Sequence, residues 1–215
     1  MKHQTKIKIC GIKNIANAKC VLENNADYIG LIFVKKSKRY IDFFTAKNLI
    51  MKIRNIPSKT KIVGIFQDEN LEIINNYYIN LGLDFVQIAG NYNDEFLEKI
   101  KHPKIIQISI KNNHTKEEIC KLINHHKELN HKVLIDSFDK NIGGGTGKKF
   151  NWNIVKDFLG INGIFLAGGL NSNNINSAMK LMPWGIDIST GVETDGEKDN
   201  NKISEFISMV KNYAK

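Results

Sequence analysis

Eight short, apolar and largely β-branched runs recur along the chain, and they restrict its fold more than any other feature. They are nearly continuous rather than alternating, which is typical of strands that are covered on both faces in a parallel sheet. The runs cover residues 6–10, 28–33, 61–66, 84–88, 105–109, 132–137, 163–167 and 185–189. Because helical segments separate them, we predict an α/β fold, a single (β/α)8 TIM barrel of one domain over residues 1–215. An open doubly wound sheet is the alternative.

Helical patterns between these runs support the alternation. Three segments place apolar residues at the i, i+3, i+4, i+7 spacing of one buried helical stripe. The three stripes are Ala46, Leu49, Ile50 and Ile53; Ile175, Ala178, Met179 and Met182; and Ile203, Phe206, Ile207 and Val210. Thr115 with Glu118 forms a capping box, and Asn171 is placed to cap the helix after strand seven.

Composition and charge restrict the partners. The chain has 215 residues and a formal charge of +9, yet only Arg39 and Arg54 among its 31 basic residues are arginines. Nucleic-acid readers depend on Arg for bidentate and stacking contacts, so we expect a solvated lysine surface and no nucleic-acid partner. No apolar run approaches the roughly 20 residues of a membrane span, so we expect no membrane partner and a cytoplasmic location.

Cysteine and histidine positions make metal sites and disulfides unexpected. Cys10, Cys20 and Cys120 are an odd number without C-x-x-C spacing. None of the six histidines falls at a predicted strand end on the face where barrels carry their active sites. We therefore predict neither a metal site nor a disulfide framework.

Three consecutive loops after strands are rich in glycine, at residues 141–149, 167–171 and 189–193. Glycine lets the backbone approach an anion closely, and barrels commonly bind phosphate at their last loops. Each turn alone could simply end a strand or cap a helix, but three together predict phosphate-binding loops after strands 6–8 and a small-molecule phosphorylated substrate. The first turn lacks the full P-loop pattern, and no G-x-G-x-x-G follows strand one.

Candidate catalytic groups stand at two strand ends. Cys10 closes strand one, where nearby Lys and Arg could lower its pKa for work as a base; the alternative is a buried structural cysteine. Asp136 ends strand six, and partial burial there would favour the protonated carboxyl of a general acid; the alternative is a helix or loop cap. Asp187 lies just inside strand eight, and its role stays open.

Arg39 stands in the basic loop after strand two. In a chain that uses Lys almost everywhere else, an Arg here suggests the planar fork that grips a carboxylate. A solvated basic loop is the alternative.

A series of motifs runs in order along almost the whole chain. It consists of Lys8-Ile-Cys-Gly-Ile12, 36–40, 63–66, 86–88, 144–147 with Phe150 and Trp152, 167–171 and Ser189-Thr-Gly-Val-Glu193. Together these motifs resemble those of one family, phosphoribosylanthranilate isomerase. The resemblance implies a cofactor-free (β/α)8 barrel of tryptophan biosynthesis, an aldose-ketose isomerase that performs an Amadori rearrangement. As a partner it implies the phosphorylated substrate alone, with the protein a monomer or homodimer.

The resemblance also implies residue roles. Asp136 would protonate the furanose ring oxygen, Cys10 as thiolate would remove the C2 proton, and Arg39 would hold the anthranilate carboxylate. The phosphate would be held by backbone N–H groups around Gly145, Gly147, Gly168, Gly169, Thr190 and Gly191.

Three positions depart from the family's pattern. Ala89 stands where the family usually has His, Lys149 where it has Thr, and Thr190 where it has Ser. The last two change little if the phosphate contacts come from the backbone. Ala89 removes a polar side chain near the substrate, which implies weaker binding, slower turnover or compensation by a neighbour such as Asn91.

Other functions remain open at this point. Another sugar-phosphate barrel, such as a histidine-pathway isomerase or an indole-forming synthase, would share the phosphate turns. The former would typically use two strand-end Asp residues, whereas strand one here ends in Cys10. A basic nucleic-acid-binding protein is favoured by charge but lacks a motif.

Overall fold

Eight parallel strands close into a barrel in the computed structural model, which describes residues 4–110, 114–137 and 152–213. The strands are β1 (Lys6–Cys10), β2 (Tyr28–Ile32), β3 (Lys61–Gln67), β4 (Phe85–Ala89), β5 (Lys104–Ile110), β6 (Lys132–Ser137), β7 (Ile164–Leu166) and β8 (Gly185–Ile188). Each strand pairs with the next in sequence, and β1 pairs with β8 to close the barrel. All eight predicted strands and the (β/α)8 barrel are confirmed, and the open sheet is excluded.

Helices follow the strands and form the outer layer. They are α1 (Ile15–Glu23), α2 (Phe43–Arg54), α3 (Leu71–Leu81), α4 (Asp94–Lys99), α5 (Lys116–Glu128), α6 (Lys156–Leu159), α7 (Ile175–Met179) and α8 (Asn200–Tyr213). A two-stranded antiparallel hairpin of β9 (Glu193–Thr194) and β10 (Glu197–Lys198) is inserted after β8. Within the described ranges, no helix is long and apolar enough to cross a membrane.

The core has two layers because alternate strand residues face opposite sides of the barrel wall. Outward-facing residues such as Ile7, Ile9 and Val86 pack against the helices. Inward-facing residues fill the barrel, where the Phe165 ring meets Tyr28 and Trp184 edge to face at the amino-terminal end. Large rings close that end, so the open mouth lies at the carboxyl ends of the strands.

The helical predictions hold with two exceptions. All four stripe residues of α2 and of α8 are buried, and the Thr115–Glu118 capping box is formed. The third stripe is wrong at Met182, because α7 ends at Met179 and Met182 adopts φ 51° with 77% of its surface exposed. Asn171 is also not the cap of α7: that position is Asn174, and the Asn171 side chain accepts from the Asn173 N–H one turn earlier.

A buried histidine pair makes the stability depend on pH. Nδ1 of His126 lies 3.4 Å from Nδ1 of His131, and each residue is only 8% exposed. Burial, with Lys104 and His126 nearby, lowers the pKa of His131 to about 4.

The neutral His131 ring is favoured by the folded state, so its contribution is complete above the unfolded pKa near 6.5 and is lost as pH falls towards 4. We expect this residue to account for about 2 to 3 kcal/mol of the loss of unfolding free energy across that window. In His131→Gln, the free energy of unfolding measured with urea should fall less steeply between pH 7 and pH 4 than in the wild type. Equal slopes in the two proteins would contradict this assignment.

Candidate active site

A pocket of about 850 Å³, including its open mouth, lies at the carboxyl ends of the strands. It brings together most of the residues that the sequence singled out, from both ends of the chain. The predicted residues that line it are Cys10, Arg39, Asp136, Gly168, Gly169 and Thr190, with Asp187 beside them. Gly191 follows Thr190 in the same loop, whereas Gly145 and Gly147 lie outside the described residues.

Cys10 ends β1 and turns its thiol into the pocket, with 6% of the residue exposed. Burial raises the pKa of this thiol, and although the cations of Lys8 and Lys198 act in the opposite direction, the net shift is upward. The expectation of a lowered pKa is therefore wrong, because the cost of burying the thiolate outweighs both cations.

Lys8 lies beneath Cys10 on the same face of β1 and is fully buried. Its Nζ donates to Oδ1 of Asp187 over 2.8 Å, and it also hydrogen-bonds the Cys10 thiol. Burial alone would lower the pKa of Lys8, but the Asp187 carboxylate and Cys10 together raise it. Asp187, whose role the sequence left open, therefore pairs with Lys8, the cation next to the Cys10 thiol. Sequence reasoning assigned Lys8 no role, although a lysine inside an apolar strand was a visible signal.

Asp136 is reached through a chain of amides from two neighbouring strands. Nε2 of Gln87 on β4 donates to Oε1 of Gln107 on β5 over 2.9 Å. Nε2 of Gln107 then donates to Oδ2 of Asp136 on β6 over 3.2 Å. The sequence analysis singled out neither amide, and a Gln inside each of two buried strands was the signal.

Arg39 reaches across the mouth to Glu193 in the loop after β8. Its Nε donates to Oε1 over 2.6 Å and its Nη2 to Oε2 over 2.8 Å, so the planar fork grips a carboxylate of the protein itself. This hydrogen bonding raises the pKa of Arg39. The pair uses two of the five guanidinium N–H donors. The expected contact of Arg39 with a substrate carboxylate stays a prediction.

The β9–β10 hairpin supplies a second cation to this carboxylate. The Asp195-Gly196 turn has positive φ at both residues, which is the two-residue hairpin geometry that Asp-Gly favours. The hairpin returns Lys198 under the loop, where its Nζ donates to Oε1 of Glu193 and, over 3.0 Å, to the carbonyl of Ser189. The sequence analysis did not predict this contact of Lys198, although the Asp-Gly pair indicated the tight turn that makes it possible.

The glycine turns after β7 and β8 pack closely on each other. Gly168 and Gly169 adopt φ 87° and 68°, the left-handed region that favours glycine. A Cβ on Gly191 would lie 2.0 Å from the carbonyl oxygen of Leu170, so a larger residue cannot fit there without displacing the backbone. The side-chain amide of buried Asn174 donates to the Gly169 carbonyl over 2.7 Å and holds the first turn.

Ala89 ends β4 and is buried against the pocket wall. Ala89 presents only a methyl group to the pocket. Polar groups on the same pocket wall come from the side chains of Gln67, Gln107 and Asp136. Asn91, the suggested compensating neighbour, is exposed and lines an adjacent cavity rather than this pocket.

Comparison with known proteins agrees with this geometry. The family model of N-(5'-phosphoribosyl)anthranilate isomerase matches residues 7–209. A relative of that name from Clostridium acetobutylicum is 35% identical over 211 residues, covering 97% of this chain and 98% of its own. The crystal structure of the Thermotoga maritima enzyme superposes with a TM-score of 0.84 at 30% identity, covering 97% and 99% of the two chains.

A crystal structure described as phosphoribosylanthranilate isomerase contains reduced 1-(o-carboxyphenylamino)-1-deoxyribulose 5-phosphate. It superposes with a TM-score of 0.80 at 29% identity and covers 97% of this chain and 99% of its own. Fold, strand-end residues and nearly full-length similarity thus agree, and the chain belongs to the N-(5'-phosphoribosyl)anthranilate isomerase family.

Proposed function

We propose that this protein isomerises N-(5-phosphoribosyl)anthranilate to 1-(2-carboxyphenylamino)-1-deoxyribulose 5-phosphate in tryptophan biosynthesis. The observation that carries the proposal is the meeting of Cys10, Asp136 and the turns after β7 and β8 in one pocket. A thiol on β1 and a carboxyl on β6 come from widely separated strands of the barrel, so a substrate between them can meet an acid and a base.

In the proposed reaction Asp136 donates a proton to the furanose ring oxygen, and the bond from that oxygen to C1 breaks to give the protonated Schiff base. The Cys10 thiolate removes the proton from C2, and the electron pair forms the enolamine. Tautomerisation moves the enol proton from the C2 hydroxyl to C1 and leaves the ketone. One proton has passed from Asp136 to Cys10, and exchange with solvent restores both groups.

Binding would use the two ends of the pocket. Arg39 keeps three N–H donors outside its pair with Glu193, and we assign them to the anthranilate carboxylate. Backbone N–H groups around Gly168, Gly169, Thr190 and Gly191 would hold the phosphate. By family likeness Gly145 and Gly147 would join them, in a cofactor-free, cytoplasmic, one-domain protein that is a monomer or a homodimer.

The direct test is substrate consumption. Purified protein should remove the anthranilate-type fluorescence of phosphoribosylanthranilate, and the gene should restore growth to a tryptophan auxotroph that lacks this step. A folded protein that does neither would overturn the proposed function.

A further inference from the structure

The amide chain that ends at Asp136 begins at an unsatisfied oxygen. Gln87 is 3% exposed, and no donor among the described residues lies within hydrogen-bond distance of its Oε1. Leaving a buried acceptor unpaired is costly, so such an atom in a residue that lines a pocket indicates a partner that arrives with a ligand. Gln87 lines the same pocket as Cys10 and Asp136.

The polarity of the chain fixes which atom of Gln87 is unpaired. Nε2 of Gln107 donates to Oδ2 of Asp136, an oxygen that accepts in the ionised carboxylate and also in the acid form when the other oxygen carries the proton. The Oε1 of Gln107 then faces Gln87, which must present its own NH₂ group. Oε1 of Gln87 is left as the free end, and it can only accept.

This free end fits one part of the substrate. The phosphate and the anthranilate carboxylate are acceptors when ionised, whereas the sugar hydroxyls and the anilino N–H are donors. We propose that Gln87 binds a donor of this central sugar-amine segment, and that Gln107 is a positioning residue that holds Asp136 by Oδ2. The inference rests on the proposed function, because it takes Asp136 as the acid.

Holding Oδ2 has a consequence for proton transfer. When Gln107 donates to Oδ2, the transferable proton of Asp136 belongs on Oδ1, so the amide selects which oxygen acts. The amide chain links substrate binding to the position of the acid. A ligand bound to Gln87 fixes that side chain and, through it, the side chain of Gln107. Gln107 itself uses its Oε1 and its Nε2 within the chain and needs no contact with substrate.

Binding tests the first part, with reduced 1-(o-carboxyphenylamino)-1-deoxyribulose 5-phosphate and inorganic phosphate as separate probes in calorimetry. Gln87→Met keeps the side-chain length and removes both polar atoms. We expect about tenfold weaker binding of the reduced analogue and unchanged binding of phosphate. Equal affinity of wild type and variant for the analogue would overturn the contact. Wild-type protein that fails to bind the analogue would overturn the proposed function, and this inference with it.

A double-mutant cycle tests the second part. Gln107→Met should lower kcat about tenfold while KM stays within about twofold, since Gln107 acts on the acid and makes no contact of its own with the substrate. Added to Asp136→Asn, the same change should have no further effect. Independent, multiplying effects would show that Gln107 does not act through Asp136. The double variant Gln87→Met with Gln107→Met leaves no newly unpaired amide and repeats both readouts if either single variant fails to fold.

Discussion

Asp136→Asn and Cys10→Ser should each lower kcat/KM roughly 10²–10⁴-fold, the usual contribution of a positioned acid or base. Both changes keep the side-chain size, so the barrel should fold as before. Asn cannot supply an acidic proton, and the Ser hydroxyl is far less acidic than the thiol. The measurement is loss of substrate fluorescence, with circular dichroism to confirm folding.

Matched controls lie outside the pocket. Cys120→Ser changes a thiol on α5, and Asp157→Asn removes an exposed carboxylate that pairs with Lys116. Both should keep near-wild-type activity. Because the reaction needs the Cys10 thiolate together with a protonated Asp136, wild-type kcat/KM should follow a bell-shaped pH profile, and Asp136→Asn should remove one of its two limbs. Full activity in both site variants would refute the assigned mechanism.

Lys8→Met should lower the free energy of unfolding by about 3–5 kcal/mol, because it leaves the Asp187 carboxylate buried without its cation. The side chains of Lys8 and Asp187 are 0% and 10% exposed. The double variant Lys8→Met with Asp187→Asn removes both charges and should recover most of this loss. Urea unfolding of the wild type, both single variants and the double variant measures the coupling.

The pH dependence of this pair has a definite sign. The pKa of Lys8 is raised in the folded protein, so the stabilisation is complete below the unfolded pKa near 10.4 and is lost only as pH rises through the folded value. Between pH 6 and pH 9 the deficit of Lys8→Met should therefore stay constant. A single variant as stable as the wild type would show that the pair contributes nothing.

The strands could be predicted from local pattern, because a continuous apolar run favours burial on both faces whatever the rest of the chain contains. The same local information placed Cys10 and Asp136 at strand ends, and a barrel gathers strand ends at one mouth. Predictions that depended on the exact end of an element were weaker. The predictions that Met182 belongs to the buried stripe and that Asn171 caps α7 are wrong, because α7 spans only Ile175–Met179.

The sequence could not predict which charged side chains pair across the barrel. Lys8 and Asp187 are 179 positions apart and Arg39 and Glu193 are 154 apart, and each pair meets only once β1 lies beside β8. The pKa of Cys10 was misjudged for the same reason, since its direction depends on how deeply the closed barrel buries the thiol.

The sequence by itself thus determined the strand count, the alternation with helices, the strand-end positions of Cys10 and Asp136 and the glycine turns, because these follow from neighbours along the chain. Only the tertiary structure decided which charges pair, which amide donates to Asp136 and which buried oxygen has no partner among the described residues. Those outcomes depend on register and closure, which set distances between side chains that the chain order leaves free.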